Sequence, residues 1–338
     1  MKQKLVVIGA GMATGRMLEH LFDAGADYDV TLFNAEPRGN YNRIMLSPVL
    51  SGDKTYAEIV THDDTWYAAQ GVTCRFGERI ATIDRAAKTV TAQNGDVLPY
   101  DKLVFGTGSN PFMIPLPGHD LERVIAYRDL EDTTRMMDLG PDNKCVVIGG
   151  GLLGLEAAAG LAQRGMEVTV LHVMPTLMER QLDPAAGYLL QKAVEERGIK
   201  VICKANTKTI LGKGKVEGVE LDDRTVIPAS LVVMAVGIRP NASLAREAGL
   251  ATNRGIVVDA GMRTSDGDIL AVGECAEVDG MVYGLVAPLY EMARIAASHL
   301  AGNGKPAFVH ADTPTKLKVT GIDLYSLGDF ADGDDREE

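Results

Sequence analysis

No two cysteines of this chain share a motif. Cys74, Cys145, Cys203 and Cys275 are the only four among 338 residues, and no CxxC occurs. A redox dithiol, a zinc site and a local iron–sulfur motif all need sulfur ligands at short spacing, so the dispersed thiols argue against each and fit a reducing cytoplasm. Long apolar runs are missing as well. None approaches the roughly 18 residues that cross a bilayer. The amino-terminal run Leu5 to Ile8 meets glycine too early for a signal sequence. The expectation is a cytoplasmic protein with no membrane partner and no metal site. Basic excess is the third absence. Lys and Arg number 34 against 46 Asp and Glu, a formal net charge of −12. With no basic stripe to meet phosphates, a nucleic-acid partner is disfavoured.

What is present is an ordinary globular composition, 46% hydrophobic, in a chain long enough for two domains. Within it one segment recurs: Lys4-Leu-Val-Val-Ile-Gly9-Ala-Gly11 returns as Lys144-Cys-Val-Val-Ile-Gly149-Gly-Gly151. Each copy is a continuous apolar strand, of the kind buried on both faces of a parallel sheet, running through glycines into a helical pattern. Met17, Leu18, Leu21 and Phe22 share one face of the first helix, and Leu155, Ala158, Ala159 and Ala162 one face of the second. Another strand follows each helix, Val30 to Phe33 and Val168 to Leu171. These are two βαβ units. Downstream, the pattern predicts strands at Lys200 to Cys203, Leu231 to Val236 and Asp268 to Val272, with a hairpin from Thr207 to Leu221. It also predicts a turn at Gly237 to Asn241, a helix from Leu285 to Leu300 and a strand from Lys316 to Asp323. The acidic end, Ala331 to Glu338, reads as a solvated tail.

Chemistry concentrates at the two glycine turns. Gly9-Ala-Gly11 closes a strand and opens a helix, where backbone N–H groups and the helix dipole receive a pyrophosphate. A strict G-x-G-x-x-G has its third glycine where Thr14 stands, after Met12 and Ala13, with Gly15 one residue late. Helix packing there has to accept a hydroxyl, and glycines also serve plain turns. Glu36, about 20 residues further on and just past the second strand, offers a carboxylate to ribose hydroxyls. Its bland reading is a surface carboxylate. Gly149-Gly-Gly151-Leu152-Leu153-Gly154-Leu-Glu156 has the complete pattern in the strand–turn–helix context. Where an NADH-selective fold ends its next strand in Asp or Glu, this chain has His172. His172 either meets a 2′-phosphate or is an ordinary strand-end residue, so NADH and NADPH both stand as the reductant. Arg180 is the other nearby cation, offset by Glu179 beside it.

Further segments carry a resemblance. Tyr100-Asp-Lys-Leu-Val-Phe-Gly-Thr107-Gly108 looks like a strand ending in a T-G turn; Val236-Gly237-Ile-Arg-Pro-Asn241 and Ile269-Leu-Ala-Val-Gly273-Glu274 follow. With the glycine loops they make the chain resemble, over essentially its whole length, the pyridine nucleotide–disulfide oxidoreductase-like FAD reductases. The resemblance implies an α/β fold of two Rossmann-like dinucleotide-binding domains with the NAD(P) domain inserted in the FAD domain. The FAD domain is expected at 1–112 and 242–308, the NAD(P)H domain at 113–241, and a stub of a further domain at 309–338. It implies FAD on the first fold, NADH or NADPH on the second, and a hydride passing between them. Glu274 replaces the usual Asp and keeps its carboxylate.

Within that family the chain is similar to the amino-terminal flavin module of assimilatory NAD(P)H nitrite reductase large subunits. The likeness rests on the runs Glu36 to Ser47, Met174 to Asp183, Tyr283 to Pro288 and Thr315 to Asp323. It places Arg43 and Pro288 near the flavin and Glu156 toward the nicotinamide; the bland readings are a surface ion pair for Arg43 and a helix N1 proline for Pro288. Those large subunits continue into cysteine-ligated iron–sulfur centres and a sirohaem domain, whose cysteine clusters are not here. The expectation is an electron-input module whose acceptor is a sirohaem/iron–sulfur domain absent from this chain. Its rivals are a stand-alone ferredoxin or rubredoxin reductase and a non-catalytic flavin-binding redox sensor.

Overall fold

The computed structural model describes residues 2–304, 306–311, 314–319 and 322–328. The strand Gln3–Ile8 is exposed at its first two residues and buried at the next four in succession. Burial without alternation belongs to the interior of a parallel sheet. The strand stands third of five, in the order Ile269–Ala271, Lys102–Phe105, Gln3–Ile8, Tyr28–Asn34, Thr73–Phe76. All neighbours run parallel. The crossover helix Met12–Asp23 buries Met17, Leu18 and Leu21, and these join Leu5, Val7 and Leu32 in one core.

Lys144–Ile148 repeats this arrangement. It is third of five in the order Lys200–Cys203, Glu167–His172, Lys144–Ile148, Leu231–Met234, Val124–Ala126, again parallel throughout. The sequence repeat is therefore a repeat of topology. Each glycine-loop strand has on one side the strand that follows its own crossover helix, and on the other a strand leading into a second glycine turn.

The chain folds as two compact units, one of residues 1–42, 59–110 and 239–311, the other of 43–58, 111–238 and 312–338. Residues 43–58, expected with the amino-terminal part, pack instead in the second unit. Their helix Leu46–Ser51 lies on Leu152–Gln163 so closely that a Cβ at Gly160 would meet Leu50 at 3.0 Å. Gln163 also donates to Asp53 at 3.0 Å. Leu46, Val49 and Leu50 form a short apolar face that no sequence pattern assigns to one domain or the other.

Thr207–Lys213 and Lys215–Leu221 form the antiparallel hairpin expected of them. The run expected as one strand, Lys316 to Asp323, is two: Thr315–Val319 pairs antiparallel with Ile322–Ser326, Val319 opposite Ile322. Thr320-Gly321 between them, and the acidic tail 331–338, lie outside the described residues. Ile238–Pro240, within the stretch read as a turn, is a short strand. No helix among the described residues is long and apolar enough to cross a membrane.

Candidate functional site

In the first unit Gly9 has φ +105°, and a Cβ there would lie 2.2 Å from the Gly106 carbonyl oxygen. Only glycine lets the chain leave its central strand past the exit of the neighbouring one. Gly11 then caps Met12–Asp23 with no side-chain acceptor, and nothing lies within 4 Å of where its Cβ would be. Elsewhere Asp63, Asp129 and Asp183 accept first-turn amides of the helices they precede. At Gly11 those amides keep no such partner and open space adjoins them, which is what a pyrophosphate requires.

Thr14 stands where the second loop has glycine, and the structure supplies the reason. Thr14 is fully buried, and its Oγ1 lies 2.0 Å from where a Cβ on Gly106 would be. Clearance comes from a glycine on the neighbouring strand's exit. Gly15 provides the rest, since a Cβ on it would fall 2.0 Å from Nδ2 of Asn40. Glu36 follows the second strand, half-buried, and accepts the Tyr41 hydroxyl at 2.8 Å. Thr107 donates through Oγ1 to the Asn241 carbonyl at 2.7 Å, while the Asn241 N–H donates to the Gly108 carbonyl at 2.9 Å. Ser109 donates to Glu274 at 2.7 Å. Gly273, at φ +85°, approaches the loop so closely that its Cβ would sit 3.1 Å from that of Ala13. Pro288 is buried at the third position of Val286–Leu300, not at N1. Its missing N–H is still one the helix leaves unbonded.

The second unit rebuilds the same turn. Gly149 has φ +122° and a Cβ would lie 2.3 Å from the Ala235 carbonyl oxygen; Gly154 packs so that its Cβ would be 2.0 Å from the Gly149 oxygen. Gly151 caps the helix with no side-chain acceptor and open space at its Cβ position, followed by Leu152 and Leu153. Gly237, after the neighbouring strand, has φ +115°.

Glu156 sits one turn into this helix. Ser47 donates to its Oε2 at 2.9 Å, and the buried Tyr127 hydroxyl donates to Ser47 at 3.1 Å. Burial raises the Glu156 carboxyl to about 7 against the opposing effect of the Ser47 bond, and no cation among the described residues offsets it. Arg43 belongs to this unit, its Nη1 donating to the Arg128 carbonyl at 3.1 Å. His172 is buried at the strand end. The Gly150 N–H donates to its Nδ1 at 3.1 Å, and its Nε2 lies 3.0 Å from Glu179 Oε2.

Sequence reasoning missed Ser47 and Tyr127, and took Glu179 only as a neighbour of Arg180. Ser47 and Tyr127 reach Glu156 from 109 residues away and through a link of 80 residues, beyond any local pattern. Glu179 carried one signal, a carboxylate in the loop after a strand that ends without one.

The family model for the pyridine nucleotide-disulphide oxidoreductases matches residues 3–301. Nitrite reductase [NAD(P)H] of Bacillus subtilis (strain 168) is 45% identical over 99% of this chain and 42% of its own length. The assimilatory nitrate reductase electron transfer subunit of the same organism is 40% identical over 97% of the chain and 43% of its own. Among solved structures, the covalent putidaredoxin reductase–putidaredoxin complex superposes with a TM-score of 0.90 at 29% identity, covering 97% of this chain and 81% of that one. The chain thus spans less than half the length of these two curated relatives.

Proposed function

The chain belongs to the pyridine nucleotide-disulphide oxidoreductase family, and from that we infer that it is the electron-input module of assimilatory nitrite reduction, passing electrons from NAD(P)H through FAD to a sirohaem/iron–sulfur partner in the cytoplasm. It is an FAD-dependent NAD(P)H oxidoreductase. The observation that carries the reading is the duplicated turn, each copy a left-handed glycine against a neighbouring strand's carbonyl followed by a glycine cap without a side-chain acceptor. One such turn fits one dinucleotide, and two fit a flavin and a nicotinamide.

FAD supplies an acceptor for the nicotinamide hydride that can release electrons one or two at a time. On the first unit, the amides from Gly11 to Thr14 would hold its pyrophosphate, Glu36 would take the adenosine ribose, and Glu274, fixed by Ser109, would take the ribityl chain. On the second, Gly149 to Gly154 hold the nicotinamide dinucleotide. Glu156 keeps its proton to about pH 7 and can donate a hydrogen bond at the nicotinamide end of that helix. No side chain has to act as nucleophile or general base, because binding and orientation are what the protein contributes.

Anaerobic titration of the FAD-loaded protein with NADH and NADPH tests this. Bleaching of the flavin absorbance by at least one of them at one equivalent is expected; tight FAD with no bleaching by either indicates a flavin-binding sensor instead. A second reading, a ferredoxin-type reductase working as a separate protein, is favoured by the 81% coverage of the putidaredoxin reductase structure. Turnover with an oxidised sirohaem partner against an oxidised ferredoxin separates the two.

A further inference from the structure

We propose that Glu179, held in position by His172, meets the adenosine ribose in the second unit and sets the site against a 2′-phosphate, making NADH the reductant. The inference rests on the second glycine turn being the NAD(P)H site.

His172 occupies the strand-end position from which ribose hydroxyls are usually met, yet its ring is committed elsewhere. A backbone N–H can only donate, so the Gly150 bond requires Nδ1 to be an unprotonated acceptor. Nε2 then carries the proton and donates it to Glu179. A doubly protonated ring would aim Nδ1–H at the Gly150 N–H and lose that bond. His172 therefore offers a 2′-phosphate no free donor. What it does is fix a carboxylate.

The loop bearing that carboxylate is tied to the glycine turn itself. The Met178 N–H donates to the Gly150 carbonyl at 3.1 Å, so both backbone groups of Gly150 bind this loop and strand end. A Cβ on Gly150 would lie 2.5 Å from Leu177 Cδ2 and 2.7 Å from the His172 ring. Leu177 and Met178 are fully buried, Met178 at φ +52°. The Lys204 and Ala205 N–H groups close the other side on the Met174 and His172 carbonyls.

Glu179 is partly exposed, its side chain at 28%, and among the described residues only Oε2 has a hydrogen-bond partner. The second oxygen can accept a ribose hydroxyl. A 2′-phosphate at the same place meets like charge. Arg180, next in sequence, and Lys204, whose N–H closes on the Met174 carbonyl, are exposed and make no ion pair among the described residues. A loose cation is a weaker determinant than a carboxylate anchored by a buried ring, and a substitution at Arg180 tells them apart.

The test compares kcat/KM for NADH and NADPH, with ferricyanide as acceptor, in the FAD-loaded protein and in Glu179→Gln, His172→Ala and Arg180→Ala. Calorimetric binding of ADP and of 2′,5′-ADP gives a readout without turnover. Wild type should prefer NADH, and ADP over 2′,5′-ADP, by at least about tenfold. Glu179→Gln should cut both ratios about tenfold, and His172→Ala should raise the KM for NADH with kcat retained. Arg180→Ala should leave the ratios unchanged. Unchanged ratios in Glu179→Gln, or a wild type that prefers NADPH, overturn the proposal while leaving the oxidoreductase reading intact. Only failure of both nucleotides to bleach the flavin overturns that reading itself.

Discussion

Ser47 holds the carboxyl of Glu156 at 2.9 Å with its hydroxyl, and this neutral contact replaces the cation that a buried carboxylate ordinarily needs. Burial therefore prevails, and Glu156 titrates at about 7 instead of 4.5.

A pKa raised by folding means that the folded state binds the proton more tightly. The resulting stability is complete below about 4.5 and is lost as pH rises through about 7. Glu156→Gln should flatten the pH dependence of unfolding free energy across that window and stabilise the protein above it by up to about 3 kcal/mol. Ser47→Ala removes a bond that lowers the pKa and should move the titration upward. Denaturant melts from pH 4.5 to 8 would refute both if the curves of all three proteins run parallel.

The glycine turns separate folding from cofactor binding. Gly9→Ala forces a side chain into φ +105° and onto the Gly106 carbonyl, and should lower stability by about 2 kcal/mol or more while abolishing retention of flavin. Gly11 has an ordinary φ of −76° and open space around it. Gly11→Ala should fold within about 0.5 kcal/mol of wild type yet bind FAD at least about tenfold more weakly, because the methyl takes up pyrophosphate space. Chromatography of released cofactor should give FAD from wild type. Recovery of FMN, or full FAD retention by Gly11→Ala, would count against the first loop as the flavin site.

Those turns were legible because strand–glycine–helix geometry has so few solutions: the residues that make it possible, Gly9, Gly11, Gly149, Gly151 and Gly154, are adjacent in sequence. The strand runs and crossover helices were legible for the same reason. Thr14 looked like a defect until Gly106, on another strand, was seen to make room for it. His172 looked like a candidate cation because one of its two partners, a backbone amide, leaves no trace in sequence, and the other, Glu179, was read only as a neighbour of Arg180. The helix Leu46–Ser51 was expected with the amino-terminal part because its three buried apolar residues fit either core, and only packing against Gly160 decides. Local chemistry was readable; long-range pairing was not.

Cys275 is expected to be dispensable. It is fully buried, its Sγ donates toward the Val272 carbonyl at 3.3 Å, and burial pushes its thiol up, away from the reactive thiolate. Thiol exchange also needs a second sulfur, and all four cysteines are free. Cys275→Ser can make the same hydrogen bond and should keep most NAD(P)H-to-ferricyanide turnover. Loss of turnover with FAD still bound would assign the sulfur a part in electron transfer.

The last prediction is that this chain will reduce ferricyanide with NAD(P)H but will form no ammonia from nitrite. Electron count sets the problem. A hydride carries two electrons, and nitrite needs six to reach ammonia, so a centre must collect several deliveries while holding the nitrogen. Flavin can feed such a centre and cannot replace it. A sirohaem–iron–sulfur site draws on clustered cysteine thiolates. Here Cys74, Cys145 and Cys203 lie within strands of the two parallel sheets and Cys275 is buried under the Phe105 and Val272 carbonyls. Burial raises the Cys74 thiol to about 11 and the Cys145 thiol further still, which opposes the deprotonation that iron ligation requires. No group of three or more His, Cys, Asp or Glu side chains among the described residues comes together as a metal would need. On the proposed function, the six-electron step falls to a sirohaem/iron–sulfur partner with its own ligands. Assay of the purified, FAD-loaded polypeptide with NADH, nitrite and no added sirohaem protein should return dye reduction without ammonia, and stoichiometric ammonia in that assay would overturn the module reading.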